Sequence, residues 1–486
     1  MLNKKVKTRF APSPTGYLHI GGLRSALFSY LFAKQYNGKF ILRIEDTDRS
    51  RYVEGAELQI INSLQKMGLN WDEGPYLIND TKFKEKGQNG PYFQSKRLKI
   101  YKEYLKKLIS SKKAYYCFCT EERLEKLRAE QQSQKQPTKY DNKCRNLTES
   151  EVNRKLINNE KYVVRLKVPD KGEIKFNDII RSQVSFQVED VDDQILIKSD
   201  GYPTYHLAVV IDDHLMGITH VIRGEEWISS TPKHILIYQA FGWEIPKFAH
   251  LPLLLNKDRS KLSKRQGDVA IEDYLDKGYL AQSIINYVAL LGWHPKDDRE
   301  IFRLKELIKN FDLKRVQKAG AIFDLEKLNW FNSYYIKNMS EKEIIKAAVN
   351  SLPQIDEKLL IKILKLEKGR LNTLNQIEEI CHVFLEVKEY NKEMLIFKKS
   401  TKEDTLKSLM LVKEKLINFK KFKKDKLFIL FNQIVKDNNL KNGDLFWPLR
   451  VSLSGQEMSP PPEEILEIIG KEESLKRINN AINKLK

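Results

Sequence analysis

The chain has 486 residues and a mass of 57.0 kDa, too long for one ordinary hydrophobic core, so two or more domains are expected. Its 85 Lys and Arg against 65 Asp and Glu give a net charge of +20 and a pI near 9.4, which favours a polyanionic partner such as nucleic acid. The N-terminus lacks the apolar core of a signal peptide, no apolar run approaches the roughly 18 residues of a membrane span, and four cysteines are too few for a disulfide scaffold. These features exclude a membrane protein and point to the cytoplasm.

Residues 6–10 read as extended, and Leu23, Ala26, Leu27, Tyr30 and Leu31 then recur at helical spacing. Residues 39–44 are extended again, and Ala56, Ile60, Leu64 and Met67 mark a second helix. A strand, helix, strand order with a glycine-rich first turn opens a doubly wound, Rossmann-type α/β domain, whose ligand sits at the carboxyl ends of the strands. From residue 81 to 199 the pattern changes to a loop, basic helices and short alternating segments such as 163–168 and 183–188, which reads as an insertion. The α/β pattern then returns. Residues 205–211 and 220–223 are apolar runs of strand length, 232–241 is helical, and 251–255 leads into a lysine-rich segment.

After Trp293 the sequence is almost wholly helical in character, carries half of the excess charge (+10 beyond residue 300) and shows no repeat of fixed period. The stretch from Phe419 through Phe422 to Lys426 interleaves aromatics and cations, a pattern that can grip RNA. It reads better as a solvated helix face anchored by two core phenylalanines.

Two segments carry most of the chemistry. Residues 9–22 read Arg9-Phe-Ala11-Pro12-Ser13-Pro14-Thr-Gly16-Tyr-Leu-His19-Ile-Gly21-Gly22, and about 240 residues later comes Lys261-Leu-Ser-Lys264-Arg265. The first places one histidine among rigid prolines and permissive glycines at a strand-to-helix turn, where free N–H groups and the helix dipole favour phosphate. The second supplies cations for the negative transition state of displacement at the α-phosphate of ATP. His19, Lys261 and Lys264 are the candidate catalytic residues.

With these motifs the chain resembles the class I aminoacyl-tRNA synthetases, and among them the bacterial-type glutamyl enzymes, over nearly its whole length. The flanking Arg43-Ile-Glu45-Asp-Thr-Asp48, Gly201-Tyr-Pro-Thr-Tyr205-His206 and Arg223-Gly-Glu225-Glu226-Trp227 follow in the order of that family. Gly22 stands where the class signature usually has a second histidine, as it often does in the glutamyl subgroup. The resemblance implies an ATP site at Gly16, His19, Gly21, Gly22, Glu226 and Lys264. It also implies a Rossmann-type catalytic domain with an inserted domain, followed by all-α anticodon-binding domains. The expected bounds are 1–80 and 200–300 for the two Rossmann halves, 81–199 for an acceptor-stem-binding insertion, 301–335 for a stem-contact region and 336–486 for the anticodon-binding region. Arg370 falls where an arginine reads the first anticodon base.

The amino-acid pocket follows from charge as well. Glutamate carries two carboxylates and one ammonium, so a selective site wants two cations, preferably forked arginines, and one anion. Arg9, Arg223 and Glu45 supply that set, and the resemblance adds Tyr205, Ala11 and Ser13. Glutamine is then rejected, because its amide offers an arginine donors where acceptors are needed. The expected partners are tRNA, L-glutamate and ATP, with Mg²⁺ arriving on the ATP, and the enzyme is expected to be a monomer.

Cys117-Phe-Cys119 followed by Cys144 resembles a zinc knuckle whose last position is Asn146. An asparagine is a poor fourth ligand, so zinc is not expected and no metal ligand is assigned. Three rival readings are a glutaminyl-tRNA synthetase, a tRNA-modifying relative and a catalytically silent tRNA-binding paralogue. The first usually ends in β-barrels, and the second lacks an anticodon-binding half. The third is opposed by the intact His19, Lys264 and both pocket arginines.

Overall fold

The first strand, β1 (Lys7–Phe10), is buried from Thr8 to Phe10 and runs parallel to β2 (Lys39–Leu42), with Arg9 opposite Ile41. This computed structural model describes residues 5–79, 82–262, 270–349 and 352–486. By internal contacts the chain divides into one unit of Met1–Leu275 with Ala281–Leu328, and a second of Asp276–Leu280 with Asn329–Lys486.

In the first unit, α1 (Ile20–Gln35) links β1 to β2. Its residues from Leu23 to Ala33 are buried except Ser25, so it is a core helix with little polar face. α2 (Ala56–Lys66) follows with Ile60, Ile61 and Leu64 inward. An antiparallel pair, β3 (Gly74–Asn79) and β4 (Lys82–Lys86), precedes α3 (Leu98–Ser110). Next come β5 (Ala114–Cys117), α4 (Glu121–Ser133), α5 (Glu149–Ile157) and β6 (Val163–Leu166). Thr148 and Glu151 close a reciprocal capping box at the start of α5.

β7 (Glu173–Asp178) and β8 (Ser182–Gln187) form a hairpin, and β9 (Ile195–Ile197) completes an antiparallel sheet ordered β5-β6-β9. The hairpin stays outside that sheet. Ile174, Phe176 and Asp178 alternate inward, and Asp178 pairs with Phe248, so β7 and β8 extend the sheet of the returning half in the order β10-β11-β7-β8.

α6 (Tyr205–Leu215) corrects the strand expected over 205–211. Leu207 to Asp213 are all buried, so apolar residues surround the helix and leave no 3.6-residue period to read. β10 (His220–Gly224) and β11 (Lys247–Leu251) are parallel and flank α7 (Thr231–Phe241), which has Pro232 in its first turn and stops at the left-handed Gly242. Thr219, just before β10, donates its backbone N–H to the Lys7 carbonyl at 2.9 Å, which sets β10 beside β1. β12 (Leu254–Leu255) leads to Lys261, followed by α8 (Ile271–Asp276), α9 (Ala281–Ala289), α10 (Leu304–Asn310), β13 (Ala321–Ile322) and α11 (Leu325–Lys337).

The second unit is helical: α12 (Glu341–Ala347), α13 (Glu357–Glu367), α14 (Gln376–Leu385), α15 (Lys402–Asn418), α16 (Lys424–Asp437), α17 (Asn442–Ser454) and α18 (Pro462–Leu485), the last kinked at Gly470. Leu409, Val412, Phe431, Leu449, Ile465 and Ile478 share its core. Buried Arg477 donates to the carbonyls of Val383, Phe384 and Leu453, satisfying the ends of α14 and α17. Residues 419–423 are a link between α15 and α16 rather than the helix face expected there. Phe419 and Phe422 do anchor it against the core, with ring centroids 6.4 Å apart.

Candidate active site

A cavity of about 1150 Å³ opens beside the end of β1, lined by residues from five separated stretches of the first unit, with Gln94, Arg128 and Arg165 added singly. Arg9, Ala11, Ser13, His19, Gly21, Gly22, Glu45, Tyr205, Arg223, Glu226 and Lys261 all line it. Gly16 is not among the lining residues; it turns the chain nearby at φ 146°. Lys264 and Arg265 lie outside the described residues. The packing of α1 under β1 brings the histidine turn to the cavity, and β10 and α6 bring Arg223 and Tyr205.

His19 is the N-cap of α1, accepting at Nδ1 from the Gly22 N–H at 3.2 Å. A Cβ at Gly21 would lie 3.0 Å from His19 Cε1 and 3.1 Å from Nδ1, so an alanine here would push the imidazole aside by a few tenths of an ångström. Gly21→Ala is expected to keep the fold, since alanine favours a helix over glycine by about 1 kcal/mol. It should lower the activity of this site about tenfold, since the imidazole must give by a few tenths of an ångström. Steady-state kinetics beside a thermal melt check this; unchanged kcat/KM in the variant would remove His19 placement as a determinant.

Lys261 is exposed at the end of a short hairpin in which it bridges back to Leu255 and Leu262 donates to the Leu254 carbonyl at 2.9 Å. The sequence reading missed Arg24. This buried side chain of α1 donates to the carbonyls of Pro252 and Leu291, tying the helix of the histidine turn to the strand that leads to Lys261. Burial lowers its pKa to about 10, against the pull of Glu226 and Glu225.

At the other end of the cavity the charges are interlocked. Arg9 Nε donates to both carboxylate oxygens of Asp213 at 3.2 Å, and Arg43 Nη1 donates to the same carboxylate at 2.8 Å. Arg43 Nη2 donates to Glu45 at 3.0 Å. All four side chains are buried. Burial would raise the pKa of Asp213, but Arg9 and Arg43 outweigh it and hold the carboxyl below its ordinary value. For Glu45 burial wins over Arg43 and pushes the carboxyl up to about 7. Arg43 and Asp213 do not line the cavity but hold Arg9 and Glu45, which do, and neither was singled out from the sequence. Arg43 stands inside the quoted Arg43-Ile-Glu45 motif, and an Asp-Asp pair ending an apolar run was the available signal for Asp213.

Tyr205 accepts from Arg223 Nη1 at 3.2 Å, and its ring lies 4.3 Å from that of Trp227. Burial lowers the pKa of Arg223. Two guanidiniums, a carboxylate and a phenol thus face one space, together with the helix N-terminus that carries His19. Such a site can hold an acidic amino acid and a phosphate chain side by side.

Away from this cavity, the Sγ atoms of Cys117, Cys119 and Cys144 lie within 4.8 Å of one another. The Tyr140 hydroxyl sits 3.3 Å from Cys117 Sγ and 3.5 Å from Cys119 Sγ, and Cys119 and Cys144 sulfurs are 3.6 Å apart. Asn146 is exposed. In the second unit Arg370 ends the short turn after α13, where Nη1 donates to both oxygens of Glu367 at 2.9 and 3.0 Å.

The fold and site define a class I synthetase. The catalytic domain described as "tRNA synthetases class I (E and Q)" matches residues 5–330, an anticodon binding domain matches 331–482, and the chain belongs to this family. A glutamate–tRNA ligase of Clostridioides difficile (strain 630) is 45% identical over 485 residues, covering 97% of this chain and 98% of that one. One from Finegoldia magna is 44% identical over 99% of this chain and 100% of the other. A glutamate tRNA ligase from Elizabethkingia meningosepticum CCUG26117, solved in complex with its amino acid, is similar with a TM-score of 0.88 at 38% identity, covering 99% of this chain and 100% of that one. The glutamate-tRNA synthetase of Elizabethkingia anophelis reaches 0.89 at 39%, with the same coverage.

Proposed function

We propose that the chain is a glutamate–tRNA ligase, joining L-glutamate to AMP at the expense of ATP and passing the glutamyl group to the 3′-terminal adenosine of its tRNA. The observation that carries this reading is that Arg9, Glu45, Tyr205 and Arg223 line the same cavity as His19 and Gly21. A glutamate carboxylate oxygen attacks the α-phosphorus and pyrophosphate leaves. A ribose hydroxyl of the tRNA then attacks the activated carbonyl and AMP leaves, with no covalent enzyme intermediate. Arg9 and Arg223 take the two carboxylates and Glu45 the ammonium, with Ala11 and Ser13 as walls. His19 and Lys261 are assigned to the charge that spreads over the phosphates, with Lys264 added by its place in the motif, and Glu226 and the glycines of the turn to ATP. Mg²⁺ travels with ATP, held mainly by its phosphates.

The second unit contains no strand among its described residues, which disfavours the β-barrels of a glutaminyl enzyme. We assign it to anticodon binding, with Arg370 reading a base once released from Glu367, and 81–199 to the acceptor stem. No helix of the described residues is long and apolar enough to cross a membrane, in keeping with a cytoplasmic enzyme. We infer that the enzyme acts as a monomer. Incubating the protein with ATP, radiolabelled glutamate or glutamine, and glutamate or glutamine tRNA separately tests the reading. Glutamate should appear on tRNA; transfer of glutamine instead would refute the assignment.

The zinc expectation rested on Asn146, and the fold offers Tyr140 in its stead. A tetrahedron with Zn–S near ~2.3 Å and Zn–O near ~2.0 Å sets S···S at roughly 3.8 Å and S···O at roughly 3.5 Å, close to the 3.6 Å between the Cys119 and Cys144 sulfurs and the 3.3 and 3.5 Å from the Tyr140 hydroxyl to Cys117 and Cys119. These four would hold zinc as a structural cross-link of the insertion. Protein purified without chelators should contain about one equivalent of zinc, lost in Cys119→Ser; metal-free wild-type protein would show the thiols to be a plain buried cluster.

A further inference from the structure

Every N–H of Arg223 has a partner and none of the partners is an acid, so a substrate carboxylate would take its protons from two of the longer contacts, Nη1 to Tyr205 at 3.2 Å and Nη2 to the Trp227 carbonyl at 3.3 Å. Nε donates to His250 Nε2 at 3.1 Å. Nη1 donates to the Tyr205 hydroxyl at 3.2 Å and to His234 Nδ1 at 3.3 Å. Nη2 donates to Thr231 Oγ1 at 2.9 Å and the Trp227 carbonyl at 3.3 Å. The contrast with Arg9 is sharp, because Arg9 already holds the carboxylate of Asp213.

The tautomers follow from donor and acceptor chemistry. A guanidinium only donates, so His250 Nε2 and His234 Nδ1 must be bare acceptors. His250 therefore carries its proton on Nδ1, 2.7 Å from Asp178 Oδ2. Asp178 is fixed in turn by the backbone N–H groups of Ile180, Arg181 and His250. His234 carries its proton on Nε2 and donates to His206 Nδ1 at 3.0 Å. Burial lowers the pKa of His250 and His234, and that of His206 to about 3, so all three rings are neutral. The chain Asp178, His250, Arg223, His234, His206 runs unbroken through the wall of the cavity.

We propose that His250 and His234 are positioning residues that hold Arg223 in one orientation without neutralising it, leaving its charge for a carboxylate of the bound amino acid, while Asp178 and His206 set their tautomers. A directly paired acid would orient the guanidinium equally well but would compete with the substrate for it. With Asp178 one imidazole removed, the network gains the rigidity and keeps the positive potential. The inference rests on the reading that Arg223 receives a substrate carboxylate.

His234→Glu places a carboxylate on Arg223, whereas His234→Asn keeps a neutral acceptor for Arg223 at the Nδ1 position and gives up the donor to His206. The Glu variant is expected to raise KM for glutamate by roughly 100-fold or more, with KM for ATP within about threefold of wild type. The Asn variant should stay within about tenfold for both. A residue that serves only the core would damage stability and kcat in both variants without splitting the two KM values. A folded His234→Glu enzyme with near-normal KM for glutamate overturns the inference. Arg223→Gln, measured in parallel, separates the two levels. If it raises KM for glutamate and His234→Glu does not, the inference alone fails; if it leaves KM unchanged, the reading of the pocket fails and the inference with it. Should the Glu variant not fold, ¹⁵N spectra of the histidines in the wild-type enzyme decide. Protonation of His250 on Nδ1 and His234 on Nε2 supports the network, and the opposite tautomer or a charged ring on either overturns it.

Discussion

Replacing Arg9 by alanine is expected to lower kcat/KM for glutamate in aminoacylation by roughly 10²- to 10³-fold while the protein stays folded. Hydrogen bonds to a charged group contribute about 1.5–3 kcal/mol each, and a carboxylate deprived of its guanidinium in a water-poor cavity also loses the compensation for its own desolvation. The fold should survive because Asp213 keeps its contact with Arg43 at 2.8 Å. Arg9→Lys should restore little, since one ammonium cannot bridge Asp213 and a substrate carboxylate with the forked geometry of arginine. Charging kinetics with the glutamate tRNA, alongside circular dichroism, read both halves of the expectation. Near-normal kcat/KM in the alanine protein would sink the pocket assignment.

The second large effect falls on stability. Asp213→Ala leaves the guanidiniums of Arg9 and Arg43 buried and facing each other without the acid between them. Removing one partner of a buried ion pair costs about 3–5 kcal/mol, and here two cations lose the same partner, although Glu45 remains beside Arg43. Denaturant titration of the variant should show the midpoint of the catalytic unit falling accordingly, together with loss of charging. The double variant Arg9→Ala/Asp213→Ala should be less unstable than the sum of the singles, by about 1–3 kcal/mol of coupling. Additive effects would mean that the pair contributes nothing as a pair. The pH dependence has a defined sign. The folded-state pKa of Asp213 lies below its ordinary value of about 3.9. Its contribution is therefore fully present above that ordinary value and is lost as pH falls through the folded one.

These two residues also show where the amino-acid sequence stops being legible. Arg9 and His19 were readable because they sit in one short segment whose prolines and glycines determine the backbone directly. Asp213 was not, because it lies 204 residues from Arg9 and 170 from Arg43, and nothing local marks which arginine a buried acid will meet. The helix Tyr205–Leu215 was misread as a strand for a related reason. A helix buried on all sides erases the periodicity that distinguishes the two. Tyr140 likewise looked unremarkable until the fold set its hydroxyl among three cysteine sulfurs.

By itself, then, the sequence determined the turn that caps the first helix, the order of catalytic and helical regions, the family and the charge types of the pocket. All of these depend on neighbours within a few residues or on motif order along the chain. The tertiary structure alone decided which charges cancel and which remain available. It paired Arg9 with Asp213, gave Arg43 to both Asp213 and Glu45, and surrounded Arg223 with neutral imidazoles. Electrostatic compensation falls off over a few ångströms in a buried site, so it is set by packing between distant segments.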